Sequence, residues 1–112
     1  MTASQQLLRL QQISQLMLDV RLLALEKASK ARQASLDHLE ALNRPAVMTD
    51  LDPVVAGEVE MRFQNWADQR RAAINLELAR QTAELTEARE RAGQAFGRNS
   101  VILKLRDRSP HG

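Results

Sequence analysis

The groups able to do chemistry in this chain are few, and their spacing argues against catalysis. His38 and His111 are its two imidazoles, and there is no cysteine, so thiolate nucleophiles, thiolate metal sites and disulfides are excluded. Glu84, Glu87 and Glu90 recur every three residues, which on a helix places them along one face. A carboxylate trio can hold a cation, but Arg80, Arg89 and Arg91 stand among them and point to a lattice of surface ion pairs instead. Neither a phosphate-binding glycine loop nor a nucleophile elbow occurs. The expectation is a protein that is not an enzyme and carries no metal or cofactor. Arg70-Arg71 and the basic group Arg98, Lys104, Arg106 and Arg108 are able to meet phosphates. Only Phe96 stands near them as a stacking surface, and the adjoining Val101-Ile102-Leu103 run fits a protein partner better than a nucleic acid.

The elements that must position these groups follow from composition. The chain has 112 residues, 44% hydrophobic but only 3% aromatic, with Phe63, Trp66 and Phe96 as the whole aromatic set. One domain is the expectation at this length. Four glycines and three prolines are too few for the turns of a sandwich, barrel or βαβ unit. The remainder is rich in Ala, Leu, Gln, Glu and Arg, the strongest helix formers. Sixteen basic residues nearly cancel fourteen acidic ones, so composition makes no strong case for nucleic acid. No apolar run approaches the ~20 residues of a spanning helix, and no basic leader precedes an apolar stretch. A soluble, cytoplasmic protein without membrane insertion is expected.

The prolines divide the chain. Asn43-Arg44-Pro45 reads as a helix stop, because the proline ring disfavours helix at the residue before it. Asp52-Pro53 reads as a start, with Asp as cap and Pro at the first helical position. The predicted fold is all-α: an antiparallel two-helix coiled-coil hairpin with a helix over about 4–44, a bend over about 45–52, a helix over about 53–107 and a tail over 108–112. In the first helix Leu10, Ile13, Met17, Val20, Ala24, Lys27, Ala31, Ala34 and His38 alternate steps of three and four. In the second, Ile74, Leu78, Gln81, Leu85, Ala88, Ala92, Ala95, Asn99 and Ile102 do the same. These two lines are read as the facing seams.

A bend centred near Thr49 makes facing residue numbers sum to about 98, setting Leu10 opposite Ala88. Two expectations follow. His38, Leu42, Phe63 and Trp66 gather near the bend, closing the rod or forming a docking surface. At the other end the stretch from Ala95 projects beyond the first helix, carrying Phe96, Arg98, Val101, Ile102, Leu103, Lys104, Leu105, Arg106 and Arg108 as a partner-binding tip. Gly93-x-x-x-Gly97 marks a close helix contact or a weak point before this projection. Charge is polarised as well: Pro45 to Asp68 holds five acids and one base, whereas residues 69–112 hold nine bases and five acids.

A helical hairpin with the tail Ala92-Gly93-Gln94-Ala95-Phe96-Gly97-Arg98 leading into Leu103-x-Leu105 resembles the FliJ/YscO group of type III secretion stalk proteins. The resemblance implies an adaptor of bacterial flagellar or type III protein export, binding a hexameric export ATPase through its terminal end, with another surface against the export gate. It assigns no residue roles beyond that end. Two other readings stand beside it: a structural or regulatory coiled coil that self-associates into a helical bundle, and a small basic nucleic-acid binder.

Overall fold

The computed structural model describes residues 2–43 and 50–108. Two helices make up the fold, α1 (Ala3–Leu42) and α2 (Pro53–Arg108). Pro45, Thr49 and the tail with Pro110 and His111 lie outside the described residues.

Each helix begins where local chemistry provides a start. Thr2 and Gln5 form a capping box: the Gln5 amide donates to Thr2 Oγ1 at 3.2 Å and the Thr2 amide donates to Gln5 Oε1 at 3.0 Å, satisfying two amides that the first turn leaves without partners. In α2 the carbonyl of Asp52 takes the first bond, from the Ala56 amide at 2.8 Å, and Pro53 occupies the first turn, where its missing N–H costs nothing. The end of α1 is held from across the hairpin. Arg71 donates to the Leu42 carbonyl at 3.2 Å and to Asn43 Oδ1 at 3.2 Å, while its other nitrogen pairs with Asp68 at 2.8 Å. A guanidinium there satisfies a terminal carbonyl and complements the negative end of the helix dipole. Arg71 is thereby committed to structure, not to phosphate.

The helices pair antiparallel in two compact units, one formed by α1 up to Lys30 with α2 from Ala83, the other by Ala31–Thr82. In the first, Ser14 and Gln15 meet Asn99, and Arg106 bonds Gln11. In the second, Arg32 meets Thr82, Ser35 meets Gln81 and Leu42 meets Arg71. Within each unit the facing numbers sum to about 113–117, not 98. The C-terminal end therefore does not project: α2 is paired with α1 as far as Arg106. The excess length of the 56-residue α2 over the 40-residue α1 falls instead at residues 53–66, ahead of the Arg71 cap. A bend centred on the middle of its loop was the faulty premise. From Asn43 opposite Arg71 back to Pro53 is about 27 Å of helix, and ten residues of chain reach ~33 Å, so the connection is long enough to start α2 well past the end of α1.

The seam of α2 is the expected one: Ile74, Gln81, Leu85, Ala92, Ala95 and Asn99 are buried, and Leu78, Ala88 and Ile102 are half-buried. The seam of α1 is not. Every residue of the expected line from Leu10 to His38 is exposed, and the least exposed positions are Ser4, Leu7, Gln11, Ser14, Leu18, Arg21, Leu25, Ala28, Arg32, Ser35, Leu39 and Leu42, with Leu36 beside them. The line has moved by one residue, about 100° round the helix.

Gly93 and Gly97 mark neither a contact nor a break, since α2 runs through both and a Cβ added at either meets nothing within 4 Å.

Candidate functional site

The seam between the helices is small and polar. Its buried apolar members are Leu18, Ile74, Leu85, Ala92 and Ala95, with Ala67 buried one turn ahead of the Arg71 cap, and among the described residues no large side chain is fully enclosed. Four polar residues are buried beside them: Ser14, Ser35, Gln81 and Asn99. Ser14 Oγ donates to Asn99 Oδ1 at 3.1 Å, and Asn99 Nδ2 donates to Gln15 Oε1 at 3.1 Å. In the other unit Ser35 Oγ donates to Gln81 Oε1 at 2.6 Å, and Gln81 reaches Glu77 at 3.4 Å. No buried side-chain nitrogen or oxygen among the described residues lacks a partner. A buried polar group left unpaired costs about 1–3 kcal/mol, so these pairs select one register from the many that an Ala-rich seam would tolerate.

With Ser14, Arg21, Arg32 and Ser35 on the inward line, a second apolar line of α1 is left outside. Leu10, Ile13, Met17 and Val20 are 45–61% exposed, and Ala24 continues their line. Leu10, Ile13 and Met17 face Ala95, Arg98 and Ile102 of α2 across a groove of about 120 Å³. A second hollow on α2 adjoins it, lined by Gln94, Gly97, Arg98, Val101 and Ile102.

The residues expected to form the terminal tip are thus divided. Arg98, Val101 and Ile102 border these hollows. Phe96 and Leu103, seven residues apart, share a face about 140° round the helix from Val101, and both are exposed. Leu105, Lys104 and Arg108 are exposed, and Arg106 is engaged with Gln11. The end is strongly basic: residues 2–22 and 91–108 carry seven bases, Arg9, Arg21, Arg91, Arg98, Lys104, Arg106 and Arg108, against Asp19 and Asp107. Arg91 pairs with Glu87, and Arg80 with Glu77, so Glu87 of the expected trio sits in a surface ion pair.

The bend cluster comes together. His38, Leu42, Phe63 and Trp66 line one hollow of about 360 Å³ with Ala41, Arg70 and Ile74. The Phe63 and Trp66 rings lie 5.9 Å apart and tilted by 40°, within the range of favourable aromatic contact. Trp66 remains 54% exposed, while its neighbour Ala67 is completely buried.

Hydrophobic spacing on its own missed the outer stripe of α1 as surface, the capping box of Thr2 and Gln5, and the roles of Ser14, Ser35 and Arg71. One signal was present. The expected α2 seam carries Gln81 and Asn99, which need polar partners when buried, and only the shifted phase of α1 brings Ser14 and Ser35 inward to meet them.

The structure defines a two-helix hairpin with a polar seam and an apolar, basic end. Compared with known protein families, curated proteins and solved structures, the chain matches none. Among the described residues no helix is long and apolar enough to cross a membrane.

Proposed function

We propose that this chain is a non-catalytic coiled-coil adaptor that binds a protein partner at the end of the hairpin holding the start of α1 and the end of α2. The observation that carries the reading is the coincidence there of exposed apolar side chains, Leu10, Ile13, Val20, Phe96, Val101 and Leu105, with seven bases against two acids. Exposed apolar surface of this extent is characteristic of interaction sites, and unbalanced charge beside it steers association. The family resemblance of the C-terminal segment extends the proposal to a cytoplasmic role in bacterial flagellar or type III protein export, with a hexameric export ATPase as partner. The test is gel filtration of the full chain with such an ATPase. Co-elution is expected, and its loss in a Val101→Glu/Leu105→Glu double variant; a wild-type chain that elutes apart from the ATPase overturns the export role.

The heptad spacing of the exposed α1 stripe favours a second reading, self-association into a four-helix bundle. Sedimentation without any partner separates the two: the adaptor stays monomeric at micromolar concentration, and the bundle does not.

A further inference from the structure

We infer that the outer stripe of α1, together with the groove it shares with α2, is the seat of an amphipathic helix with acidic flanks supplied by a protein partner. Leu10, Ile13, Met17, Val20 and Ala24 follow the three-and-four spacing by which one helix receives another. They hold it for about 21 Å, four turns. The stripe is left over by α1's own pairing, because α2 has taken the neighbouring line of Ser14, Leu18, Arg21 and Leu25. An α-helix carrying two adjacent heptad lines is built to touch two helices, and α2 is only one of them.

The shape of the surface selects a helix over a flat bilayer. Leu10, Ile13 and Met17 are recessed against Ala95 and Ile102, and the adjoining hollow runs past Gly97, above which a Cβ would find open space. A ridge of side chains on a third helix fits such a furrow, whereas a lipid surface meets only its rims.

Charge selects the kind of helix. Arg98 borders both hollows, and the exposed Arg9, Lys104 and Arg108 carry no ion pair among the described residues. A second copy of this chain seated here by its same end would bring its own seven bases against these seven. Like charges across an interface disfavour that partner, and Glu or Asp flanking the apolar ridge favour the complementary one.

The inference rests on the adaptor reading for there being a protein partner, and the two fail separately. The probe is a labelled heptad peptide with Leu at the two seam positions and Glu on both flanks, whose own charges keep it monomeric at neutral pH. Its twin carries Lys in place of Glu. Anisotropy with the full chain is expected to show binding of the Glu peptide only, weakened at least tenfold by Ile13→Glu and by Arg98→Glu. Circular dichroism of both variants should match wild type, since neither residue is buried. Equal binding of the Lys peptide, no binding of either, or undiminished binding by Ile13→Glu overturns the inference. So does a wild-type dimer in sedimentation that Ile13→Glu dissociates, since the stripe then belongs to a second copy. An export ATPase that binds wild type and Ile13→Glu equally well removes this seat and leaves the adaptor reading intact.

Discussion

The two units of the hairpin solve the same problem with different residues. Both pair α1 with α2 through a thin seam, and both place a serine of α1 against an amide side chain of α2: Ser14 with Asn99 in one, Ser35 with Gln81 in the other. Around that common device they diverge. The terminal unit leaves Leu10, Ile13, Met17 and Val20 exposed beside a basic surface. The bend unit gathers Phe63, Trp66 and His38 about a hollow and ties down the end of α1 with Arg71. Register and surface are thus under separate control. Buried polar pairs choose how the helices align, and whatever apolar residues the seam does not use become surface.

Breaking the terminal unit should have the largest effect. Removal of residues 99–112 takes away Asn99, the half-buried Ile102 and the α2 partner of the first turns of α1. Ser14 would lose its partner and Leu7 and Gln11 their cover. The thermal midpoint should fall by roughly 10 °C or more, with a loss of helical ellipticity beyond the deleted residues. A truncated chain as stable as wild type would restore the projecting end.

A smaller change, in the bend unit, is the cap. Arg71→Ala removes donors to the Leu42 carbonyl and Asn43 and should cost about 1–2 kcal/mol in urea unfolding. Hydrogen exchange should quicken in the last turn of α1 while the first turns of that helix stay unchanged.

The serines compare the units directly. Ser35→Ala leaves Gln81 Oε1 buried without its donor and should cost about 1–2 kcal/mol. Ser14→Ala should cost less, because its bond is longer, 3.1 Å against 2.6 Å. Equal midpoints for the two variants would show that one polar pair is not more tightly held than the other.

Glycine offers a sharpening in the opposite sense. Gly57 and Gly93 lie inside α2, one in each unit, and a Cβ at either meets nothing within 4 Å. Gly→Ala at each should raise stability by about 0.5–1 kcal/mol through the entropy of the unfolded chain.

The smallest effect belongs to surface charge. Lys30, by a side-chain hydrogen bond and its charge, holds the Glu26 carboxyl below its usual range, and Glu26 in the same way holds the Lys30 ammonium above its own. The sign of the linkage is that the pair's contribution fades as pH falls through the lowered Glu26 value and as it rises through the raised Lys30 value. Both groups are exposed, so solvent screens them. Glu26→Gln should melt with wild type across that whole range.

Local features of the fold were legible because they depend on local chemistry. The absence of Pro and Gly through α1, the Asp52-Pro53 start and the apolar line from Ile74 to Ile102 each act over a turn or two of helix. The α2 seam was readable because its residues offer one apolar line. In α1 two lines run side by side, and hydrophobicity pointed to the wrong one: Leu10, Ile13, Met17 and Val20 are more apolar than Ser14, Arg21, Arg32 and Ser35. The bend cluster is legible in its members, whereas the terminal site is legible only on α2, since hydrophobicity places its α1 half in the core.

By itself, then, the sequence determined that there are two long helices, where each begins and ends, and which face of α2 is covered. Heptad spacing sets the pitch at which helices meet, and the Thr2-Gln5 box and Asp52-Pro53 set where they start; both are properties of neighbouring residues. Which line of α1 faces inward, how far the helices slide past each other and which end carries the excess of α2 were decided only in the tertiary structure. These depend on pairing Ser14 with Asn99 and Ser35 with Gln81 across 85 and 46 residues of chain. An unpaired polar group in the seam and a leucine left in water each cost about 1–3 kcal/mol, so hydrophobicity alone does not choose the phase, and the polar pairs that decide it exist only once both helices are in place.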